Sequence, residues 1–323
     1  MNIIAHKNLY IAIGTGTILT SVAVLGILGL NLGIDFTGGA LTEVAYEERP
    51  AQSELEAQLN TLALGGYSLR ETVDDAGRDG YLLRTRDLSE AERQQVSAVV
   101  AGGDMGGEVT RFTSIGPVIG EELKDKAIWA IGAVVVIIVL YVAFAFRGVR
   151  KPVGSFVYGG ITIVALLHDV LVPAALMGVL GYLLGVEVDV LFVMAILAVL
   201  GYSVNDTIVV FDRVRENLVK YRTEHTVKDK DSDGMPIERI EYTFTKPFDE
   251  VVNESVNDTL LRSINTSATT ALAVAALYIF GGEVTQMFAL MLLVGIFAGA
   301  YSSIFFASPL LVAFEEWKRK RSA

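Results

Sequence analysis

The chain has 323 residues, of which 52% are hydrophobic and 20% charged, and its mean hydropathy is +0.48. Because the apolar residues are gathered into long runs, this composition excludes an ordinary soluble globular protein. The 26 basic and 37 acidic residues give a net charge of −11, which argues against nucleic acid as a partner. Cysteine is absent and the three histidines are scattered, so the sequence predicts no disulfide, no metal site and no cofactor.

Six segments are long and apolar enough to cross a membrane as helices, since one crossing needs about 20 mostly apolar residues. They lie at residues 9–30, 127–146, 153–181, 190–211, 263–280 and 286–314. The third and sixth are long for one crossing and contain Pro173 and Pro309, where we expect a tilt or a bend. The first segment is too long for a signal peptide and lacks a small-x-small cleavage pattern, which predicts an uncleaved anchor.

Basic residues in short loops predict the cytoplasmic side of the membrane. Lysines and arginines occur at Lys7, within 147–151 and within 318–321, whereas the short loops after the third and fifth spans carry only acidic charge. We therefore expect both termini in the cytoplasm, with an outer segment that contains 9 basic and 18 acidic residues. The predicted parts are the N-terminus and first helix at 1–30, an extracytoplasmic domain at 31–126, and helices two to six at 127–323 with a cytoplasmic loop at 212–262 and a cytoplasmic tail.

The outer segment has the pattern of a small α+β domain. Extended runs are predicted near residues 41–46, 67–73, 81–86 and 107–115, and helices at 50–64 and from Ser89 to about residue 100. Ser89 and Glu92, three residues apart, predict a capping box that opens the second helix. The order β-α-β-β-α-β predicts a ferredoxin-like sheet with both helices on one face.

Ionisable residues at membrane depth mark the candidate functional positions. Asp206 lies in the fourth span, where a carboxylate costs about 2.5–3.5 kcal/mol on insertion scales, so we expect it to face protein or water. Arg262 opens the fifth span beside the end of the fourth, which predicts an ion pair with Asp206; a pair that only holds the helices together is the alternative. The supporting polar positions are His168, Asp169, Ser203, Asn205, Asn265, Thr266 and Thr269.

These residues suit ion movement better than covalent chemistry. The sequence contains no phosphate-binding loop, no H-E-x-x-H and no G-x-S-x-G motif, so we predict that the protein is not an enzyme. Protonation of Asp206 would release Arg262, and that change could bias a helix rearrangement. Sodium is the alternative coupling ion, because hydroxyl and amide oxygens can also line a sodium path.

Five motifs resemble the signatures of one family. They are GIDFTGG at 33–39, IGPVIGEEL at 115–123, LHDV at 167–170, GYSVNDTIVVFDRVREN at 201–217 and TLLRSINTS at 259–267. Their order, together with six spans and one small outer domain, is similar to the SecF family, the smaller membrane subunit of the SecD/SecF protein-export complex. The resemblance covers nearly the whole chain.

The resemblance implies a half-transporter of the resistance-nodulation-division superfamily in a bacterial inner membrane. Such a subunit pairs with SecD and associates with the SecYEG channel, and in an assembled translocase with YajC and a YidC-type insertase. It would use the proton-motive force to assist late translocation of preproteins, with ion passage at Asp206 and Arg262. Asp35, Gly38 and Gly39 belong to the first motif, where the glycines are expected to allow a tight turn into the first strand.

Two other functions compete with this interpretation. One is a half-transporter of the same superfamily that moves lipid or small molecules, although such proteins usually have much larger outer domains. The other is an intramembrane aspartyl protease with Asp169 and Asp206 as its dyad. The stretch 221–250 is longer than the family resemblance leads us to expect, and its mixed charges predict a solvated excursion with a strand pair at 237–245.

Overall fold

The computed structural model describes residues 1–74, 76–102, 106–147, 152–230 and 236–322. Part of the predicted basic loop at 147–151 and part of the long stretch at 221–250 lie outside these residues. The helices are α1 Lys7–Leu28, α2 Ile34–Thr37, α3 Gln52–Leu59, α4 Glu90–Ala101, α5 Pro117–Ala145, α6 Ser155–Leu184, α7 Val190–Lys220, α8 Phe248–Phe280, α9 Glu283–Tyr301 and α10 Ser308–Ser322. The strands are β1 Gly39–Tyr46, β2 Tyr67–Val73, β3 Asp79–Thr85, β4 Gly107–Ile115, β5 Arg222–Lys230 and β6 Pro236–Phe244.

The six predicted membrane spans are confirmed, because six helical segments among the described residues are long and apolar enough to cross a membrane. Several helices extend beyond their apolar parts. α5 begins at Pro117 rather than near residue 127, and proline suits the first turn of a helix because its missing N–H has no partner there. α7 continues to Lys220 and α8 begins at Phe248, so both helices extend into the stretch at 212–262 that is predicted to be cytoplasmic.

The two proline-containing spans differ. α6 is one helix with Pro173 inside it, whereas the sixth span is interrupted by a π-helical segment at Ser302–Ala307 that separates α9 from α10. Pro309 lies two residues after this segment and cannot donate a backbone hydrogen bond to the preceding turn, which favours the change of hydrogen bonding there. The predicted break in the sixth span is therefore present, on the N-terminal side of Pro309.

Residues 39–115 form the α+β domain, whose four strands lie in the order β2-β3-β1-β4 with antiparallel neighbours. The predicted order of strands and helices is observed. Ser89 accepts from the Glu92 backbone N–H and Glu92 from the Ser89 backbone N–H, which is the predicted capping box. α3 and α4 pack on one face of the sheet around a core formed by Val44, Tyr46, Leu55, Leu59, Tyr81, Leu83, Val96 and Val100.

The chain has two distinct ends. The α+β domain contacts the loop between α6 and α7, where Arg84 binds Glu187. Both termini lie at the opposite end, since Lys7 pairs with Glu316 and the Met1 backbone carbonyl accepts from Asn257. The hairpin of β5 and β6 also lies at that end. The predicted strand pair at 237–245 is wrong, because that stretch contains the single strand β6, whose partner β5 lies earlier in the chain.

Candidate functional site

Asp206 is buried on the face of α7 that packs against α8. Its side chain is 5% exposed, and the Oδ2 oxygen has no hydrogen-bond partner. On α8 the buried hydroxyls of Ser263 and Ser267 also make no direct hydrogen bond, although Ser263 lies near enough to Asp206 to interact with it. Buried polar atoms without partners cost about 1–3 kcal/mol each, so the surroundings of Asp206 suit a water molecule or a transferred ion.

The predicted partner of Asp206 is nearby but not in direct contact. Arg262 is exposed and acts on Asp206 electrostatically, yet no ion pair joins the two side chains among the described residues. The cause is the helical phase of α8, because its buried side carries Thr259, Ser263 and Ser267, whereas Arg262 lies on its exposed side. A direct ion pair is therefore not formed in this conformation.

The predicted polar stripe on α8 faces away from the rest of the chain. Asn265, Thr266 and Thr269 share the exposed side of the helix with Arg262, and Asn205 on α7 is exposed as well. The Thr269 hydroxyl donates to the Asn265 backbone carbonyl at 2.9 Å, which satisfies it locally. Within the described part of the chain, the side chains of Arg262 and Asn265 have no direct hydrogen-bond or ion-pair partner.

Asp169 lies at the centre of a second, fully buried polar cluster. Its Oδ2 oxygen accepts from the hydroxyls of Ser203 and Ser302, the latter at 2.8 Å, and its Oδ1 oxygen lies 2.8 Å from His168 Nδ1. These contacts join α6, α7 and the π-helical segment. Because other groups engage both oxygens and none of the described contacts joins Asp169 to Asp206, the two carboxyls do not form a shared-proton dyad.

The cluster extends to residues that the sequence reasoning missed. Thr207 and Ser303 place their hydroxyl oxygens 2.9 Å apart, both buried. The adjacent serines 302 and 303, a few residues before Pro309, could have predicted this extension of the cluster, because hydroxyls at membrane depth often form hydrogen bonds between helices. Elsewhere in the described chain, no group of three or more His, Cys, Asp or Glu side chains is placed to hold a metal ion.

The first motif forms the entry to the α+β domain. Gly38 has φ +72° and Gly39 φ +129°, conformations that favour glycine. A Cβ atom at Gly38 would lie 2.7 Å from the Cα of Pro117, at the start of α5. The two glycines thus allow the predicted turn and a close approach to α5.

Asp35 has a structural contact that the sequence did not reveal. Its Oδ2 oxygen accepts from the Val190 backbone N–H at 2.9 Å, and Asp189 Oδ1 accepts from Phe192 N at 2.8 Å. Two carboxylates therefore cap the N-terminus of α7, where the helix dipole favours negative charge. Burial, with a smaller effect of the Asp35 charge, raises the pKa of Asp189.

Comparison with known proteins identifies the family. Residues 95–233 and 237–317 match the family described as Protein export membrane protein SecD/SecF, C-terminal, and residues 23–48 match the SecD/SecF GG motif. Protein translocase subunit SecF of Anaerolinea thermophila is 37% identical over 332 residues, covering 100% of this chain and 98% of that protein. Protein translocase subunit SecDF of Thermus thermophilus is 35% identical, covering 95% of this chain and 37% of that protein.

Solved structures show the same relationship. The crystal structure of SecDF from Thermus thermophilus, described as a translocon-associated membrane protein, has a TM-score of 0.79 and 30% identity, covering 98% of this chain and 39% of that chain. SecDF in a super-membrane-facing form has a TM-score of 0.65 and 30% identity, covering 100% of this chain and 40% of that chain. The chain thus spans about two fifths of SecDF and nearly the full length of SecF relatives. It belongs to the SecF family of protein translocase subunits, which are transport components and not enzymes.

Proposed function

We propose that this protein pairs with SecD and uses the proton-motive force to assist late translocation of preproteins through the SecYEG channel. Ion passage occurs at Asp206, under the influence of Arg262. YajC and a YidC-type insertase complete the assembled translocase. The family names of the relatives support a role in protein translocation, and the polar interface between α7 and α8 supports the ion path.

The unpartnered Asp206 Oδ2 oxygen is the observation that carries the proposal. The buried Ser263 of α8 interacts with the Asp206 carboxyl, and the buried hydroxyl of Ser267 lies one helical turn further along α8. A carboxyl in this setting can take up a proton from bound water and pass it along the hydroxyl row. The exposed guanidinium of Arg262 lies close enough to interact electrostatically with the Asp206 carboxyl.

The exposed face of α8 supports SecD as the partner. A guanidinium and a carboxamide at Arg262 and Asn265 are expensive to hold in lipid, at about 2.5–3.5 kcal/mol for a charged group near the centre of a span. This chain matches about two fifths of SecDF, so the other three fifths of that protein are available to cover this face. We therefore assign the exposed side of α8 to the contact with SecD.

The charge pattern supports one orientation in a bacterial inner membrane. Both termini and the β5–β6 hairpin share one end of the bundle, and the α+β domain lies at the other. Since basic residues concentrate near the termini, that end is cytoplasmic and the α+β domain faces outward. An outward domain is positioned to act on a preprotein as it emerges.

The test is export of a secreted reporter in cells whose only copy carries Asp206→Asn. We expect slower export, with unchanged membrane abundance and SecD association, because asparagine keeps the shape but cannot titrate. Asp212→Asn is the matched control, since Asp212 is an exposed carboxylate on the same helix, paired with Arg215. Normal export with Asp206→Asn would refute the role of Asp206.

The coupling ion is tested separately. Proteoliposomes that contain the SecD complex are given either a pH gradient or a sodium gradient, and ion flux is measured with pH-sensitive and sodium-sensitive dyes. Proton flux that disappears in the Asp206→Asn variant supports the proposal. Flux of sodium alone would contradict proton coupling while leaving the translocase assignment in place.

A further inference from the structure

The loop between α6 and α7 is held by two arginines of the α+β domain. Arg84 on β3 donates to Glu187 Oε1 at 2.8 Å, and Arg70 on β2 lies 3.6 Å from the same oxygen. Arg70 also donates to the backbone carbonyl of Gly185. The Glu187 side chain is 19% exposed, so its carboxylate is partly shielded from water between the two guanidinium groups.

The same loop is tied to the polypeptide that leads into the α+β domain. Gly33 N donates to the Val188 carbonyl at 2.8 Å, and Val188 N donates to the Asn31 carbonyl at 2.7 Å. Arg84 adds to this connection, because its second nitrogen donates to the Leu32 carbonyl and to the Thr37 hydroxyl. The loop therefore contacts both the sheet and its entry segment.

The loop is also the direct link between the two helices that carry the buried carboxyls. α6 contains Asp169 and α7 contains Asp206, and only residues 185–189 separate the two helices. A change in the relative position of α6 and α7 must therefore displace the loop and the Glu187 side chain. A connection this short cannot absorb a movement of α6 relative to α7 without moving itself.

The neighbouring interface is open rather than packed. A cleft of about 450 Å³ separates the open face of the sheet, at Leu41 and Leu82, from the ends of α6 and α9, at Leu184 and Met287. Space beside the ionic contact permits the sheet to tilt relative to the helices. The arginine contacts to the loop then determine how far the domain follows a helix movement.

We propose that Glu187, held between Arg84 and Arg70, is a positioning residue that transmits movement of α6 and α7 to the α+β domain during export. The inference rests on the proposed function and adds the mechanical connection between the ion site and the outer domain. Glu187 must stay in contact with the arginines for helix movement to reach the α+β domain. A covalent link between the loop and β3 should therefore substitute for the ionic contact.

The first experiment measures reporter export in cells whose only copy carries Glu187→Gln. We expect export to slow by about 2- to 30-fold, the range in which coupling residues act, with normal abundance and SecD association. With the proton-motive force dissipated, wild-type and variant rates should be equal, which shows that the part of export lost in the variant is the force-dependent part. Glu108→Gln is the matched control, because Glu108 pairs with Arg78 at 2.7 Å within the α+β domain and should leave export unchanged.

The second experiment restores the contact covalently. The chain has no cysteine, so Glu187→Cys with Arg84→Cys introduces its only two thiols. In spheroplasts, a bis-methanethiosulfonate reagent can bridge them through two reducible disulfides, releasing methanesulfinate at each thiol. We expect slow export before cross-linking, recovery after it, and slow export again after reduction.

Two outcomes would overturn the inference: normal export with Glu187→Gln, or a cross-link that blocks export, since the contact would then have to open. Asp206→Asn, measured in parallel, separates the two proposals. If Asp206→Asn slows export and Glu187→Gln does not, only the transmission role fails. If Asp206→Asn also leaves export unchanged, both the transmission role and the proposed ion-coupled function are refuted.

Discussion

Replacement of Gly39 by alanine tests whether the first motif is required by the backbone of the α+β domain. Gly39 has φ +129°, and a Cβ atom there would lie 2.6 Å from the carbonyl oxygen of Thr85 on β3. Strain at such a φ costs about 1–3 kcal/mol, and displacing a packed backbone atom adds about 1–3 kcal/mol. We expect the free energy of opening this sheet to fall by about 3 kcal/mol.

Native-state proteolysis of the purified complex measures this change, because the rate of cleavage within the α+β domain follows the population of its opened form. A loss of about 3 kcal/mol predicts cleavage about 100-fold faster. Gly65→Ala isolates backbone strain, since Gly65 has φ +79° but open space around it, and should accelerate cleavage about fivefold. Gly66→Ala has neither feature and should leave the rate unchanged. Equal rates for the Gly39 and Gly66 variants would refute the reasoning.

Three further predictions concern a helix cap, pH and the buried cluster. Ser89→Ala removes the cap of α4 and should lower domain stability by about 1 kcal/mol, measured by the same proteolysis. The hydrogen bonds from Arg86 and then from Ser89 lower the pKa of Glu92 from its ordinary 4.5 to about 2. Its stabilising contribution is therefore complete above pH 4.5 and is lost as the pH falls towards 2, so acid should speed cleavage in that window. Ser302→Ala removes a donor to Asp169 and should lower the thermal stability of the detergent-solubilised complex, by about 1–3 kcal/mol.

The sequence predicted the spans and the α+β domain well because their signals are local. Apolar runs of span length, alternating strands and the capping box of Ser89 each depend on a few neighbouring residues. Helix ends were predicted less well, because α5 and α8 continue through polar residues that hydropathy does not count as helix.

The candidate site was predicted in part. Asp206 and Asp169 were identified because a buried carboxyl stands out in an apolar span. The orientation of α8 could not be derived, since both of its faces carry polar residues and spacing alone does not say which one meets α7. The structure places Ser263 rather than Arg262 in that interface. Likewise, the contact between Arg84 and Glu187 joins residues far apart in the chain, and no local sequence pattern predicts it.

α7 connects Asp206 to the loop that the α+β domain holds, and α8 separates Asp206 from the exposed polar side of the bundle. α7 runs from Val190 beside Glu187 to Asp206, a rise of about 25 Å at 1.5 Å per residue, so a hydrogen-bonded helix connects the ion site to the loop that the α+β domain holds. α8 is polar towards α7 at Ser263 and polar on its exposed side at Arg262. Because a helix with two polar faces is stable in a membrane only between protein on both sides, the proposed SecD contact lies one helix away from Asp206. Under the proposed function, a protonation at Asp206 is therefore adjacent to the partner subunit through α8 and connected to the α+β domain through α7.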